Sequence, residues 1–188
     1  MLRWLALSLM LAGSPAAWAL QDAAMTPRAL PAVGTGTIQV AFTPGDDAAR
    51  LIIQAIGQAR QRIRVQAFSF THRGIADALI AAQQRGVAVT LIVDPQQAER
   101  IPTSVVHYMA DAGVPVFYDA DHASAHNKVM VIDAHTAAVV ITGSYNFTHA
   151  AQYKNAENLL IVRGNPALAK AYAANWQRHR DHSSSYQP

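Results

Sequence analysis

The 188-residue chain contains no cysteine. This absence excludes disulfides, cysteine nucleophiles and thiolate metal sites, so the folded state must be stabilised by the burial of apolar side chains. Charged residues are also scarce: they make up 14% of the sequence, and only two of them are glutamates, Glu99 and Glu157. Because 51% of the residues are hydrophobic, the composition is typical of a globular protein and excludes a disordered or fibrous chain.

The first 19 residues have the pattern of a secretory signal. Arg3 precedes a short apolar run, a Gly-Ser-Pro break follows, and the segment ends in Ala-Trp-Ala. The run is shorter than the roughly 20 residues that span a bilayer, so we predict a signal peptide at 1–19, cleaved after Ala19, and a periplasmic or secreted protein. Residues 20–36 are rich in Ala, Pro, Thr and Gly and predict a flexible leader before a domain at 37–188.

No later stretch is long and apolar enough to span a membrane, so we expect no stable membrane insertion. Without Arg3, the mature chain has 14 Lys and Arg residues against 12 Asp and Glu residues. The resulting net charge of +2, with histidine neutral, is too small to predict nucleic-acid binding by itself.

Apolar residues recur with alternating strand and helix periods along the domain. Strands are predicted at 38–42, 63–70, 87–93, 114–118, 128–133, 138–142 and 158–162. A first helix is predicted to open at residues 44–47 and to include the apolar positions 51, 52, 55 and 56, and further helices are predicted around residues 75–85, 103–112 and 166–179. The alternation indicates an α/β fold with a mixed, largely parallel sheet flanked by helices on both faces.

Several polar side chains that suit phosphate chemistry stand near strand ends. His126 and Lys128 are two residues apart and therefore project to the same side of a strand, whereas Asp133 projects to the other side. Ser144 and Asn146, also two apart, follow Gly143 and can offer a hydroxyl and an amide to a phosphate oxygen. A cation, two neutral donors and an imidazole could stabilise charge at phosphorus and supply a nucleophile or a proton.

Two further interpretations concern Glu157 and His122. Glu157, at the start of a strand, could hold the far ring nitrogen of His126, although a carboxylate paired with a nearby cation is the alternative. His122 and His126 are four residues apart and could bind zinc together on a helix. The segment between them lacks the glutamate of a metalloprotease motif, and Lys128 would repel a cation, so we expect no metal and no cofactor.

The pattern His126-x-Lys128-x4-Asp133, followed by Gly143-Ser144-x-Asn146, resembles the HKD motif of the phospholipase D superfamily. The resemblance covers most of the mature chain and is closest to the small secreted bacterial endonucleases that carry a single motif per chain. It implies a metal-independent phosphodiesterase with a phosphohistidine intermediate. In that mechanism His126 is nucleophile or acid, and a second histidine protonates the leaving oxygen.

The resemblance also suggests roles for the remaining motif residues. Lys128, Ser144 and Asn146 would hold the phosphate, Glu157 would orient His126, and Asp133 would be structural support near the site. Nine residues separate Asp133 from Gly143, more than in the usual motif. We expect the extra residues, near positions 134–136, to lengthen a hairpin turn.

The chain contains a single His-x-Lys sequence, whereas the implied mechanism needs two histidines. We therefore predict a homodimer that brings the two copies of His126 together at its two-fold axis, since such a contact places the same residues opposite one another. The preferred substrate is DNA or RNA, cleaved as by a non-specific endonuclease. The alternative is a phospholipase D that hydrolyses phospholipid head groups by the same chemistry.

Overall fold

The computed structural model describes residues 36–187 and contains eight strands and six helices in that range. The predicted signal peptide and all of the predicted leader except Gly36 lie outside the described residues. The strands are β1 (Thr37–Thr43), β2 (Arg62–Ala67), β3 (Ala88–Val93), β4 (Val116–Tyr118), β5 (Lys128–Ile132), β6 (Val139–Gly143), β7 (Glu157–Arg163) and β8 (Ser184–Ser185). The helices are α1 (Ala48–Gly57), α2 (Arg73–Gln84), α3 (Pro95–Arg100), α4 (Val106–Asp111), α5 (His149–Tyr153) and α6 (Pro166–His182).

Most of the described helices begin where a side chain accepts a hydrogen bond from a free backbone N–H group of the first turn, whereas α4 has no side-chain cap. Asp47 caps α1 in this way, His72 caps α2, Asp94 caps α3 and Asn165 caps α6. Sequence patterning did not predict α3 and α5, because six and five residues are too few to show a helical period.

All eight strands form one mixed sheet in the order β1-β7-β6-β5-β2-β3-β4-β8. The prediction of an α/β fold with a mixed sheet is confirmed, but the expectation of a largely parallel sheet is wrong. The pairs β2–β3 and β3–β4 are parallel, and the other five are antiparallel. Apolar runs report burial on both faces of a strand and carry no direct information about strand direction, which explains the error.

Helices cover both faces of the sheet, as predicted. The larger core lies between one face and helices α1, α2 and α4, with Ile52, Leu79 and Met109 among its fully buried side chains. On the other face α6 buries Ala169 against Val129 and Val140 of the central strands. None of the helices in the described part of the chain has the length and apolar character needed to cross a bilayer.

Helix α6 covers the second face over the middle of the sheet but leaves β1 uncovered. Ile38, Val40 and Phe42 alternate along β1 and are 69%, 56% and 60% exposed. Val40 pairs with Leu160 of β7, which is also exposed. Because paired residues point to the same side of a sheet, these four side chains form one apolar surface, called here the β1 face.

Candidate active site

Six strand ends meet at one edge of the sheet and bring the predicted site residues into one region. β2 ends at Ala67, which pairs with Lys128 at the start of β5. β6 ends at Gly143, beside the start of β7, and β1 ends at Thr43, which pairs with Glu157. The segments that follow β2, β3 and β6 therefore surround the start of β5 and the residues immediately before it.

His126 and Lys128 are in direct contact at this edge. The Lys128 Nζ atom lies 2.9 Å from Nδ1 of the His126 ring and donates a hydrogen bond of 2.8 Å to the His126 carbonyl oxygen. The His126 side chain is exposed, whereas Lys128 is 8% exposed. An accessible imidazole thus lies against a cation that the fold holds in place.

Two residues that the sequence did not single out support this pair. The Phe68 ring packs on the His126 ring with centroids 4.2 Å apart, and Lys128 Nζ lies 4.9 Å from the Phe68 ring centroid. Asp94 is buried, and its carboxylate accepts hydrogen bonds from the Ala125 N–H at 3.0 Å and from the Gln97 N–H at 2.9 Å. Both residues directly follow parallel strands, β2 and β3, and that position is the signal from which they could have been found.

Burial of the Lys128 ammonium group lowers its pKa, and the negative charge of Glu157 opposes this shift in part. The lysine therefore loses its proton at a lower pH than an exposed lysine does. The same observation shows that the Glu157 carboxylate is close enough to act on Lys128 electrostatically.

Ser144 and Glu157 form a second pair beside Lys128. The Ser144 hydroxyl donates a hydrogen bond of 2.6 Å to Glu157 Oε2 and accepts bonds from the Asn158 backbone and side-chain N–H groups at 3.0 and 3.2 Å. Asn155 donates to the other carboxylate oxygen of Glu157 at 3.1 Å. The hydroxyl and the carboxylate are therefore held in fixed positions.

The predicted hydrogen bond between Glu157 and the His126 ring does not occur among the described residues. β6 lies between β5 and β7, so Ser144 at the end of β6 is the nearest partner for the Glu157 carboxylate. The His126 ring instead has Lys128 as its polar neighbour. The influence of Glu157 on this pair acts through the charge on Lys128.

Gly143 allows the close approach of β6 and β7 at the site. Its φ angle is +148°, and a Cβ atom at this position would lie 2.2 Å from the backbone oxygen of Asn158. That oxygen accepts hydrogen bonds from the N–H groups of Ser144 and Tyr145 at 3.1 and 3.3 Å. A side chain at Gly143 would therefore displace the backbone that positions Ser144.

Asn146 lies in the segment that follows β6. Its Oδ1 atom is buried and has no hydrogen-bond partner among the described residues. A buried polar atom without a partner costs about 1–3 kcal/mol. The neighbouring aromatic residues Tyr145 and Phe147 are each 1% exposed and belong to the core beneath the site.

Asp133 is not near His126, because it follows the opposite end of β5. Its buried carboxylate accepts hydrogen bonds from the backbone N–H groups of Arg60, Gln61 and Arg62 at 2.7, 2.9 and 2.8 Å. The five residues of β5 lie between it and Asn127, so these two positions are six residues and roughly 20 Å apart at about 3.3 Å per residue. Asp133 therefore links the turn before β2 to the end of β5 by hydrogen bonds, and it makes no hydrogen bond to any of the other predicted site residues.

The extra residues after Asp133 form the turn of the β5–β6 hairpin. Asp133 O accepts hydrogen bonds from the N–H groups of Thr136 and Ala138, both at 2.9 Å, and Ile132 pairs with Val139. The insertion therefore lengthens a hairpin turn and leaves the pairing of β5 with β6 continuous. A cleft lined by Arg62, Arg64 and His135 lies at this end of the sheet, away from His126.

A groove lies beside the segments that continue from Phe68 and Asn146. A bridge between Phe70 and Phe147 joins these two segments. The groove is lined by Thr71, His72, Arg73, Gly74, His149 and Tyr153. Tyr153 is 60% exposed, and its ring lies 4.5 Å from that of His149. An aromatic surface and basic side chains thus border the candidate site.

Known proteins share both the sequence and the fold of this chain. A family profile described as "Cardiolipin synthase, PLD-like domain" matches residues 52–180. A phospholipase D of Rickettsia typhi is 34% identical over 159 residues, which cover 85% of this chain and 76% of the relative. A mitochondrial cardiolipin hydrolase of Xenopus laevis is 34% identical over 129 residues, which cover 69% of this chain and 59% of the relative.

The same similarity holds in three dimensions. The crystal structure of Nuc, a phospholipase D family member from Salmonella typhimurium, superimposes with a TM-score of 0.76 and 34% sequence identity. The superposition covers 81% of this chain and 99% of that protein. The sheet and its flanking helices therefore have the same fold as nearly the whole of the Nuc chain.

Proposed function

Because the chain belongs to the phospholipase D-like family and is a phosphodiester hydrolase of that superfamily, we propose that it cleaves nucleic-acid phosphodiester bonds without a metal. The proposed route is a phosphohistidine intermediate on His126, formed in a homodimer. The observation that carries this proposal is the contact between His126 and the buried ammonium of Lys128 at 2.9 Å. It provides a nucleophile beside a fixed positive charge, as attack on an anionic phosphodiester requires.

Substrate binding would activate the histidine by an exchange of hydrogen bonds. In the free protein the Lys128 ammonium donates to His126, which occupies a ring nitrogen lone pair. A bound phosphate oxygen is a stronger, charged acceptor and would take this donor. The ring would then be free to attack phosphorus while Lys128 holds the phosphate.

Ser144 and Asn146 would complete the phosphate site. The Ser144 hydroxyl is held by Glu157 and Asn158 at the same edge of the sheet, and it would bind a phosphate oxygen by turning towards it the proton that it now donates to Glu157. Asn146 follows Ser144 by two residues in the segment after β6, and its NH2 group would donate a hydrogen bond to a phosphate oxygen.

The reaction needs a second acid–base group. As His126 forms a bond to phosphorus, the bond to the leaving oxygen breaks, and that oxygen takes a proton from the partner subunit's His126, which enters this step as an imidazolium. The partner subunit's His126 then removes a proton from water, the hydroxide attacks phosphorus, and the phosphorus–nitrogen bond breaks. Both histidines return to their starting states, so no metal or cofactor is consumed.

The other histidines of the described residues are engaged elsewhere. His72 caps α2, His107 bonds Tyr186, and His149 packs on Tyr153. His135 lies in the hairpin turn at the far end of β5, and the remaining three surround Asp119. This distribution supports a second copy of the chain as the source of the second histidine.

The exposed β1 face supports dimerisation. Phe42 on this face pairs with Asn158, whose side chain bonds Ser144, so the apolar surface reaches the edge that carries the site. Contiguous exposed apolar surface marks interaction sites more often than free surface. We propose that a second subunit covers this face.

Nucleic acid is favoured as substrate by the groove next to the site. Bases can stack on exposed aromatic rings such as Tyr153, while Arg73 can neutralise backbone phosphates. The second candidate is phospholipid head-group hydrolysis, which is favoured by the names of the relatives from Rickettsia typhi and Xenopus laevis.

We also propose that the protein is exported across the inner membrane, because residues 1–19 have the sequence pattern of a secretory signal.

One experiment separates these functions. The purified protein is incubated in EDTA with plasmid DNA, RNA and phosphatidylcholine vesicles, beside His126→Ala and the control His135→Ala. We expect cleavage of nucleic acid by the wild type and the control, and none by His126→Ala. Release of choline alone would favour the lipid function, and a requirement for added divalent metal would contradict the mechanism.

A further inference from the structure

Asp119, His122, His179 and His182 form a cluster of metal-ligating side chains apart from the site described above. One ligand atom from each residue lies within 4.8 Å of the others. Asp119 Oδ2 is 2.6 Å from His179 Nδ1, and Asp119 Oδ1 is 3.0 Å from His122 Nδ1 and 3.1 Å from His182 Nε2. The four residues thus point at one another around a common centre.

The fold brings these residues together from two distant parts of the chain. Asp119 directly follows β4 and is fastened to β3 by a hydrogen bond from its N–H group to the Val93 carbonyl oxygen at 3.1 Å. His179 and His182 are three residues apart on the last turn of α6 and therefore share one side of the helix. β8 follows this helix and pairs with β4, Ser184 opposite Tyr118, which holds the helix end beside Asp119.

Three imidazole nitrogens and one carboxylate oxygen are a ligand set that zinc accepts in tetrahedral geometry. At zinc–ligand distances of about 2.0–2.2 Å, ligand atoms are roughly 3.3–3.5 Å apart. The Asp119 oxygens lie 2.6–3.1 Å from the three ring nitrogens, and no two of the ligand atoms are more than 4.8 Å apart, so side-chain rotations that move the histidines slightly away from Asp119 would accommodate the ion. The Asp119 side chain is 1% exposed and the His179 side chain is 16% exposed. Two of the four ligands are therefore held in place by the surrounding protein.

A second carboxylate stands behind one of the histidines. The Nδ1 atom of His182 lies 3.8 Å from Asp121 Oδ2, on the opposite side of the ring from the Nε2 atom that faces the cluster. A histidine that ligates a metal commonly donates its other ring N–H to a carboxylate or carbonyl, which orients the ring. A small movement of the Asp121 side chain would bring it within hydrogen-bond distance of His182.

We propose that Asp119, His122, His179 and His182 bind one Zn²⁺ ion that joins the end of α6 to the segment leading to His126. Four protein ligands leave no open coordination position, which is the pattern of a structural site. The proposal does not rest on the proposed nuclease function, because this ion takes no part in phosphoryl transfer. It also differs from the pairing of His122 with His126 considered from the sequence, since His126 is not a ligand.

Charge distinguishes this cluster from an ordinary group of ion pairs. The ring centroids of the three histidines are 5.1–5.4 Å apart, so protonation of all three would place three cations around one carboxylate. A buried carboxylate surrounded by three imidazole rings offers a divalent cation one anionic and three neutral ligands.

The test uses untagged full-length protein, freed of metal by EDTA and dialysed. Zinc is added, and bound metal is counted by mass spectrometry while the melting temperature is recorded. We expect one zinc per chain and a rise of about 5–10 °C when free zinc is a hundredfold above its dissociation constant. Cobalt(II) in place of zinc should give the intense visible bands of tetrahedral coordination.

Variants identify the ligands. His122→Ala and His182→Ala should each weaken zinc binding more than about tenfold and abolish the cobalt bands, whereas the exposed control His135→Ala should bind as the wild type does. His122 lies outside both hydrophobic cores, so its replacement by alanine leaves the core packing intact. A loss of zinc binding in this variant therefore reports the loss of a ligand. The proposal is overturned if zinc leaves the melting temperature unchanged, or if a double variant that combines His122→Ala with His182→Ala binds as much zinc as the wild type.

The zinc site and the proposed nuclease function can fail separately. Nuclease activity in EDTA is measured well below the melting temperature of the metal-free protein, where loss of a structural ion leaves the fold intact. Activity that survives EDTA together with a zinc-dependent melting temperature supports both proposals. Activity that survives without any effect of zinc overturns the zinc site alone.

Discussion

Glu157 accepts a hydrogen bond of 2.6 Å from the Ser144 hydroxyl and also raises the pKa of Lys128 against the lowering effect of burial. One carboxylate therefore connects the neutral donor and the cation of the proposed phosphate site. This arrangement assigns Glu157 a positioning role that acts through Ser144 and Lys128 instead of through the His126 ring.

Glu157→Gln should shift the alkaline limit of activity to lower pH. The amide keeps the hydrogen bond to Ser144 but removes the negative charge, so the pKa of Lys128 falls further and the ammonium is lost earlier as pH rises. The measurement is the pH profile of kcat/KM on a chromogenic phosphodiester. An unchanged alkaline limit, with only a lower rate throughout, would contradict the electrostatic role.

Lys128→Met should remove activity and raise stability by roughly 0.5–2 kcal/mol. Burial lowers the pKa of this lysine, so the charged form is less stable in the folded than in the unfolded chain. Folding stability of the wild type should therefore increase as pH rises between the folded and unfolded pKa values of Lys128. Urea unfolding of both proteins at several pH values checks this sign, and a less stable Lys128→Met would show that its hydrogen bonds outweigh the cost of burial.

Gly143→Ala should destabilise the protein by roughly 1–3 kcal/mol and disturb the site. The added Cβ would meet the Asn158 backbone oxygen, and the φ of +148° is strained for any residue with a side chain. Gly57→Ala is the matched control, since a Cβ there has no atom within 4 Å. The control should be neutral or more stable by about 0.4–1 kcal/mol, as judged by thermal melting. Equal effects of the two substitutions would refute the requirement for glycine at 143.

Asp133→Asn should lower stability by about 2–4 kcal/mol while leaving kcat unchanged at temperatures where the protein is folded. The substitution removes the charge from a buried carboxylate that accepts three backbone hydrogen bonds, and such charged bonds are worth about 1.5–3 kcal/mol each. Asp111→Asn, at an exposed position, provides the control. A large fall in kcat with normal stability would instead place Asp133 in the catalytic machinery.

Val40→Asp should produce a monomer with little activity. The substitution puts a charge in the middle of the β1 face, which the proposed partner subunit would bury. Gln39→Glu adds the same charge to the opposite side of the same strand and should leave the dimer intact. Light scattering measures the oligomeric state of each variant, and the phosphodiester assay measures its activity. A wild type that is monomeric and fully active would exclude both the dimer and the shared site.

Local patterns allowed much of the fold to be predicted. The apolar patterns of 128–133 and 138–142 located β5 and β6, and the Gly-Ser-x-Asn sequence predicted where donors would follow a strand. Strand direction was not predicted, because apolar runs are alike in parallel and antiparallel strands. Phe68 and Asp94 were missed because their partners, His126 and Ala125, are more than 30 residues away in sequence.

The sequence by itself determined the chemical types present and their local spacing: a single His-x-Lys pair, donors two residues apart, and no cysteine. These are properties of neighbouring residues, and backbone geometry translates them directly into shared faces. Only the tertiary structure decided that Glu157 bonds Ser144 and not His126, that Asp133 lies at the far end of β5, and that His122 meets the end of α6. Those contacts depend on the order of strands in the sheet, which is set by the packing of the whole chain.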